Sequence, residues 1–198
     1  MRTDSYNLRK NSDDYKIIPE EAERTARYIG LDERSSLRLR LLSEEMVCML
    51  PRLLSIGSGE FYVETRGSRC ELHLRITPTD MSDVDRDQIL AISTSGKNAA
   101  AKGIIGKIWA AVEVMLDNQA KVAKEMPFEF YEMGMSPEYN VYQVWSLNNY
   151  RDNVRADEEL RETAEWDELE KSILGKVADD VTVGIMNGVI EITVVKSF

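Results

Sequence analysis

Soft and imidazole donors are scarce in this chain: Cys48, Cys70 and His73 are all that its 198 residues supply. Structural zinc is enclosed by a full tetrahedral set of such ligands, so a finger or ribbon is ruled out and no metal is expected. Cys70 and His73 form a C-x-x-H fragment, but they fall in CELHLRIT, whose alternation reads as a strand. An offset of three along a strand sends side chains to opposite faces, so the two cannot grip one ion. The expectation is two buried, reduced thiols and a strand histidine flanked by Glu71 and Arg75. A nucleophile–histidine–acid triad has a single available centre, and neither thiol has an activating neighbour in sequence.

Basic charge is also short. Lys and Arg number 25 against 35 acidic residues, a net charge of −10, whereas affinity for a phosphate backbone needs a basic face. Direct nucleic-acid binding is therefore not expected. No apolar run is long enough to cross a bilayer, and the opening MRTDSYNLRKNSDDYKII lacks the apolar core of a signal peptide. No membrane partner is expected, and the cytoplasm is the expected location.

What is present is a globular composition, 43% hydrophobic and 30% charged. A chain of 198 residues buries one sizeable core, so residues 1–198 read as a single domain with an insertion at about 117–177. Residues 15–18 read as extended and stop at Pro19. Pro19 opens a helix with Glu20 and Glu21 in its first turn and Gly30 at its end. Asp32 caps a longer helix to about Ser55, with Leu39, Leu42, Met46, Met49, Leu50 and Leu53 as its buried stripe and Pro51 as a bend near its end. The segments EFYVETR and CELHLRIT flank Gly67-Ser68 as an antiparallel hairpin with one buried face.

Residues 83–92 read as a short helix, and a buried helix starts at Gly103 with Ile104, Ile105, Ile108, Trp109 and Val112 on its stripe. Residues 117–157 read as irregular, and an acidic amphipathic helix follows, ending near Gly175. DDVTVGIM and VIEITVVK around Asn187-Gly188 make the strongest hairpin signal, since that dipeptide suits a two-residue type I′ turn. The simplest solution is α+β: a two-layer α/β sandwich with a mixed, mostly antiparallel sheet and helices on one face.

Three features could carry chemistry. Glu45 has Leu41, Leu42, Cys48 and Met49 as its helical neighbours, whereas Glu44 has Arg40 one turn back. A carboxylate in apolar surroundings is either a site residue or one paired for packing. Between Gln88 and Val112 there is no acid, while Lys97, Lys102 and Lys107 are basic. With Asn98 and Gly103 nearby, amides at a helix start could hold a phosphate, although no P-loop pattern is met; the plain reading is a solvated loop. Residues 128–150 hold seven of the fifteen aromatics, suiting either a partner surface or a satellite core under the insertion. The acidic helix around 157–170 reads as a solvated face, or as mimicry of a basic partner's surface.

LRLRLLSEEMVCML, GIIGKIWAAVEVML and DDVTVGIMNGVIEITVVK together resemble the histidine-kinase-type ATPase (GHKL) superfamily, most closely its anti-sigma-factor serine-kinase branch. The resemblance covers residues 15–116 and 178–198 and implies that family's fold. It implies Glu45 as the catalytic glutamate, Asp80 on the adenine amino group, and Gly103 and Gly106 as the remnant of the second glycine box beside Lys97, Asn98 and Lys102. The chain departs from the pattern at two places. Met49 stands where the magnesium-holding asparagine belongs, and RITPTDMSD lacks both glycines of the Asp-x-Gly-x-Gly segment. A thioether is a poor ligand for a hard cation.

The expected function is thus a cytoplasmic bacterial regulator with a degenerate ATP-binding fold, a pseudoenzyme without cofactor. It acts anti-sigma-like on a sigma-factor-like or anti-anti-sigma-like protein, a homodimer being a further assembly. One rival is an active serine kinase or ATPase using Glu45, ATP and magnesium. Another is a pocket for a different small anion near residues 96–107.

Overall fold

A computed structural model describes residues 1–9, 14–78, 104–112, 115, 143–156, 172–186 and 188–198. The chain opens with β1 (Tyr6–Leu8) and a 3-10 turn (Asp14–Ile17) that leads directly into α1 (Ile18–Tyr28). Residues 15–18 are therefore helical rather than extended. Pro19 lies in the first turn of α1, where its fixed φ and missing N–H cost nothing.

Helix α2 (Glu33–Ile56) starts as its sequence requires: the Asp32 side chain accepts a hydrogen bond from the Ser35 amide at 2.7 Å. The helix continues past Pro51, and Leu39, Leu42, Met46, Met49, Leu50 and Leu53 are all buried. An ion-pair network binds α1 to α2. Arg40 donates to Glu23 at 2.8 Å and to Glu44 at 3.0 Å, and Arg27 also pairs with Glu23.

The first hairpin follows as β2 (Gly57–Arg66) and β3 (Arg69–Pro78). Residues 104–112 form α3. Within the stretch expected to be irregular, β4 (Gln143–Ser146) and α4 (Leu147–Ala156) are regular elements. The short α5 (Ile173–Val177) precedes the closing hairpin, β5 (Asp180–Met186) and β6 (Val189–Ser197). The short helix expected at 83–92 and the acidic helix at 157–170 lie outside the described residues.

The fold is α+β. Among the described residues six strands lie in the order β1-β2-β3-β6-β5-β4, and every neighbouring pair is antiparallel, where a mixed, mostly antiparallel sheet was expected. Tight turns can join only antiparallel neighbours. The two hairpins meet along β3 and β6, which run in opposite directions with Leu72 opposite Val194, and β1 and β4 extend the same pattern at the edges.

Strand alternation then divides the sheet. Phe61, Val63, Leu72, Leu74, Val183 and Ile192 face the helices and join the α2 stripe, Ile108 and Leu147 in one core. The opposite face carries Glu64, Glu71, His73, Glu191 and Thr193, all half-buried. Trp145 and Tyr150, from the expected insertion, pack against this same core rather than a separate one. Among the described residues no helix is long and apolar enough to cross a membrane.

Candidate functional site

Glu45 lies on the flank of α2, between the fully buried stripe and the outward side. Its neighbours Leu42 and Met49 are buried, but Leu41 and Cys48 are exposed, which corrects the expectation of two buried thiols. Helical spacing fixes which residues share a side with Glu45; only the packing of α2 on β2 and β3 determines how far that side is covered. The carboxyl is half-buried, and burial alone pushes its pKa above the ordinary carboxylate range. No hydrogen bond or ion pair reaches it among the described residues. Glu44, one position away, has its oxygen on Arg40.

Met49 is 1% exposed, packed in the core one turn beyond Glu45. Gly106 is buried in α3, the third of its described residues. Lys107, on the same helix, places its ammonium 5.5 Å from the centre of the Tyr150 ring on α4. Asp80, Lys97, Asn98, Lys102 and Gly103 lie outside the described residues, as do residues 128–142 of the aromatic stretch. Of the expected set, Glu45 and Gly106 can be placed, and both belong to the helical layer.

The other face of the sheet holds a denser constellation that sequence reasoning passed over. His73 on β3 stacks on Tyr62 of β2, with ring centres 4.6 Å apart and planes at 11°, and the Arg2 guanidinium covers the far side of Tyr62 at 3.7 Å. The His73 Nδ1 lies 3.1 Å from Glu191 Oε1 and 3.2 Å from Thr193 Oγ1, both on β6. The Nε2 lies 3.5 Å from Glu71 Oε2, shut from solvent and without a hydrogen bond. Glu64 stands directly across from Glu71 on β2. Arg69 holds the other Glu71 oxygen at 2.7 Å; although burial opposes it, Arg69, with His73 and Arg66, keeps that carboxyl below its usual range.

Half of this cluster was legible. With Gly67-Ser68 as a two-residue turn, counting outward pairs Glu64 with Glu71 and Tyr62 with His73. Glu191 and Thr193 come from a strand more than a hundred residues away, and no local signal places them there. Against protein-family models, curated proteins and solved structures, the chain matches none.

Proposed function

We propose that this chain is a bacterial regulatory protein with a histidine-kinase-type ATPase fold that no longer turns over nucleotide and works by binding a protein partner. The order of helix, long helix, hairpin, helix and closing hairpin, with helices over one face of an antiparallel sheet, supports the fold part of this reading. The observation that carries the loss of turnover is Met49. The residue that stands where the resemblance needs magnesium's oxygen ligand is a thioether, 1% exposed, in the hydrophobic core. Phosphoryl transfer works by positioning and charge neutralisation, so losing the metal ligand removes a principal stabiliser of the transition state. The partner is a sigma-factor-like or anti-anti-sigma-like protein met in the cytoplasm.

Titration of the full chain with ATP, with and without magnesium, is expected to give no heat. Micromolar, magnesium-dependent binding abolished by Glu45→Gln or Asp80→Asn overturns the reading. A pull-down from the source lysate with the 128–150 aromatics intact is expected to recover a specific protein, and recovery of none removes the main support for partner binding.

The state of Glu45 favours a second reading. A carboxyl raised by burial, without a partner among the described residues, is the condition of a general base, as an ATP-dependent kinase or ATPase would use it. The same titration separates the two, since turnover demands that ATP and magnesium bind together.

A further inference from the structure

We propose that the cleft between β1 and α1 binds a small amino-carboxylate zwitterion, a free α-amino acid, with its carboxylate on Arg24 and its ammonium at Asp4. None of these residues belongs to the set implied by the nucleotide reading, so the two stand or fall separately.

Helix periodicity builds the cleft. Along α1, offsets of four and three put Glu21, Thr25 and Tyr28 on one side, with Arg24 beside them. Ile18, Ala22 and Ala26 give α1 an apolar buried side, yet Glu21 and Thr25 are buried as well, each 5% exposed. Tyr6 comes from β1, where it lies opposite Phe61 and so on the helix side of the sheet, packed against the core. Between the two elements is a cleft of about 260 Å³ whose lining includes Asp4, Tyr6, Glu21, Arg24, Thr25 and Tyr28. Sites for drug-sized molecules span roughly 300–1,000 Å³, so this one suits a smaller ligand. Burying a carboxylate costs stability relative to an apolar side chain, and places where a sequence breaks the apolar rule are where sites are expected.

The charges select the ligand. The Glu21 carboxylate is engaged by the Arg24 guanidinium and by contact with the Tyr6 phenol, so it holds other groups in place and is not itself the receptor. Both of its contacts with Arg24 are made through Nη2, which leaves the other N–H donors of Arg24 without a partner among the described residues. A guanidinium anchored in this way is suited to a carboxylate. The Asp4 side chain has no hydrogen bond or ion pair among the described residues and brings the opposite sign to the same lining. An anion alone is opposed by Asp4 and a cation alone by Arg24, whereas a zwitterion satisfies both. The Tyr6 and Tyr28 rings favour an ammonium near their faces, and Tyr28, 77% exposed, offers an uncovered ring for the ligand's side chain.

The test screens the full chain against the standard L-amino acids, each at millimolar concentration, for a rise in melting temperature, followed by calorimetric titration of those that give one. At least one is expected to bind at a single saturable site. The amine lacking its carboxylate and the acid lacking its amino group are each expected to bind about tenfold more weakly or worse. Asp4→Asn and Arg24→Gln should weaken binding to a similar degree. Asp4→Asn and Tyr28→Ala are the decisive variants, because both side chains are exposed and the ligand-free melting temperature should match the parent. The proposal is overturned if no amino acid shifts the melting temperature, if Asp4→Asn leaves the affinity unchanged, or if the amine or the acid alone binds as tightly as the zwitterion.

Discussion

Cys48 and Cys70 differ in access, and a thiol titration separates them. Cys48 is exposed on α2, whereas Cys70 is fully buried on β3, where burial pushes its thiol up to about 11. A thiol reagent is expected to modify one cysteine rapidly in the folded protein and the second only on unfolding, with Cys48→Ser abolishing the fast phase. Tyr6 gives a pH dependence of definite sign. Burial first, then its contact with Glu21, raise its phenol from 10.0 to about 12. As alkali is added the unfolded chain loses this proton first, so the folded state binds more protons and stability falls as pH rises from 10.0 to about 12. Tyr6→Phe should flatten that part of a denaturation curve measured against pH. Glu45 follows the same sign at lower pH, its raised carboxyl weakening the fold as it ionises. Glu45→Gln is therefore expected to melt no lower than the parent at neutral pH, and a large loss of thermal stability would mean that the side chain serves packing.

The elements rest on a few local devices whose removal has a calculable direction. The Asp32 cap satisfies an otherwise unpaired amide at the start of α2, and Asp32→Ala should cost about 1 kcal/mol in chemical denaturation. At the junction of α2 and β2, Gly57 passes so close to its partner strand that an added Cβ would lie 2.2 Å from the Thr77 carbonyl oxygen. Gly57→Ala must push that backbone aside, a loss of roughly 1–3 kcal/mol by the same assay. Gly188 holds φ at +74° in the last turn, a region that L residues enter at a cost. α4 shows a device that the sequence carried unread: Ser146 accepts from the Asn149 amide at 3.1 Å and Asp180 accepts from the Asn148 amide at 3.1 Å. Ser146 ahead of Leu147 was a readable cap, but its helix has no long apolar stripe to draw attention to it. β1 and β4 were harder still, since strands of three and four residues show almost no alternation and gain their hydrogen bonds only from distant partners.

At the scale of the molecule, the seam between the hairpins holds the layers together. Leu74 of β3 lies opposite Ile192 of β6, both buried beneath the helices. Leu74→Ala and Ile192→Ala should each cost about 2–5 kcal/mol, and because the two side chains share one cavity their double mutant is expected to lose less than the sum. The central hairpins, the long capped helix and the buried stripe were all written locally, because turn dipeptides, caps and periodicity act over a few residues. Glu45 was singled out by its helical neighbours on the same local grounds. Its half-buried state was decided by tertiary packing, as was the exposure of Leu41 and Cys48, since covering a residue depends on what arrives from elsewhere in the chain. The joining of β3 to β6, the addition of two short edge strands and the meeting of His73 with Glu191 belong to the same class. Each is a contact between segments far apart in sequence, fixed by the shared burial of one sheet face rather than by any signal near the residues themselves.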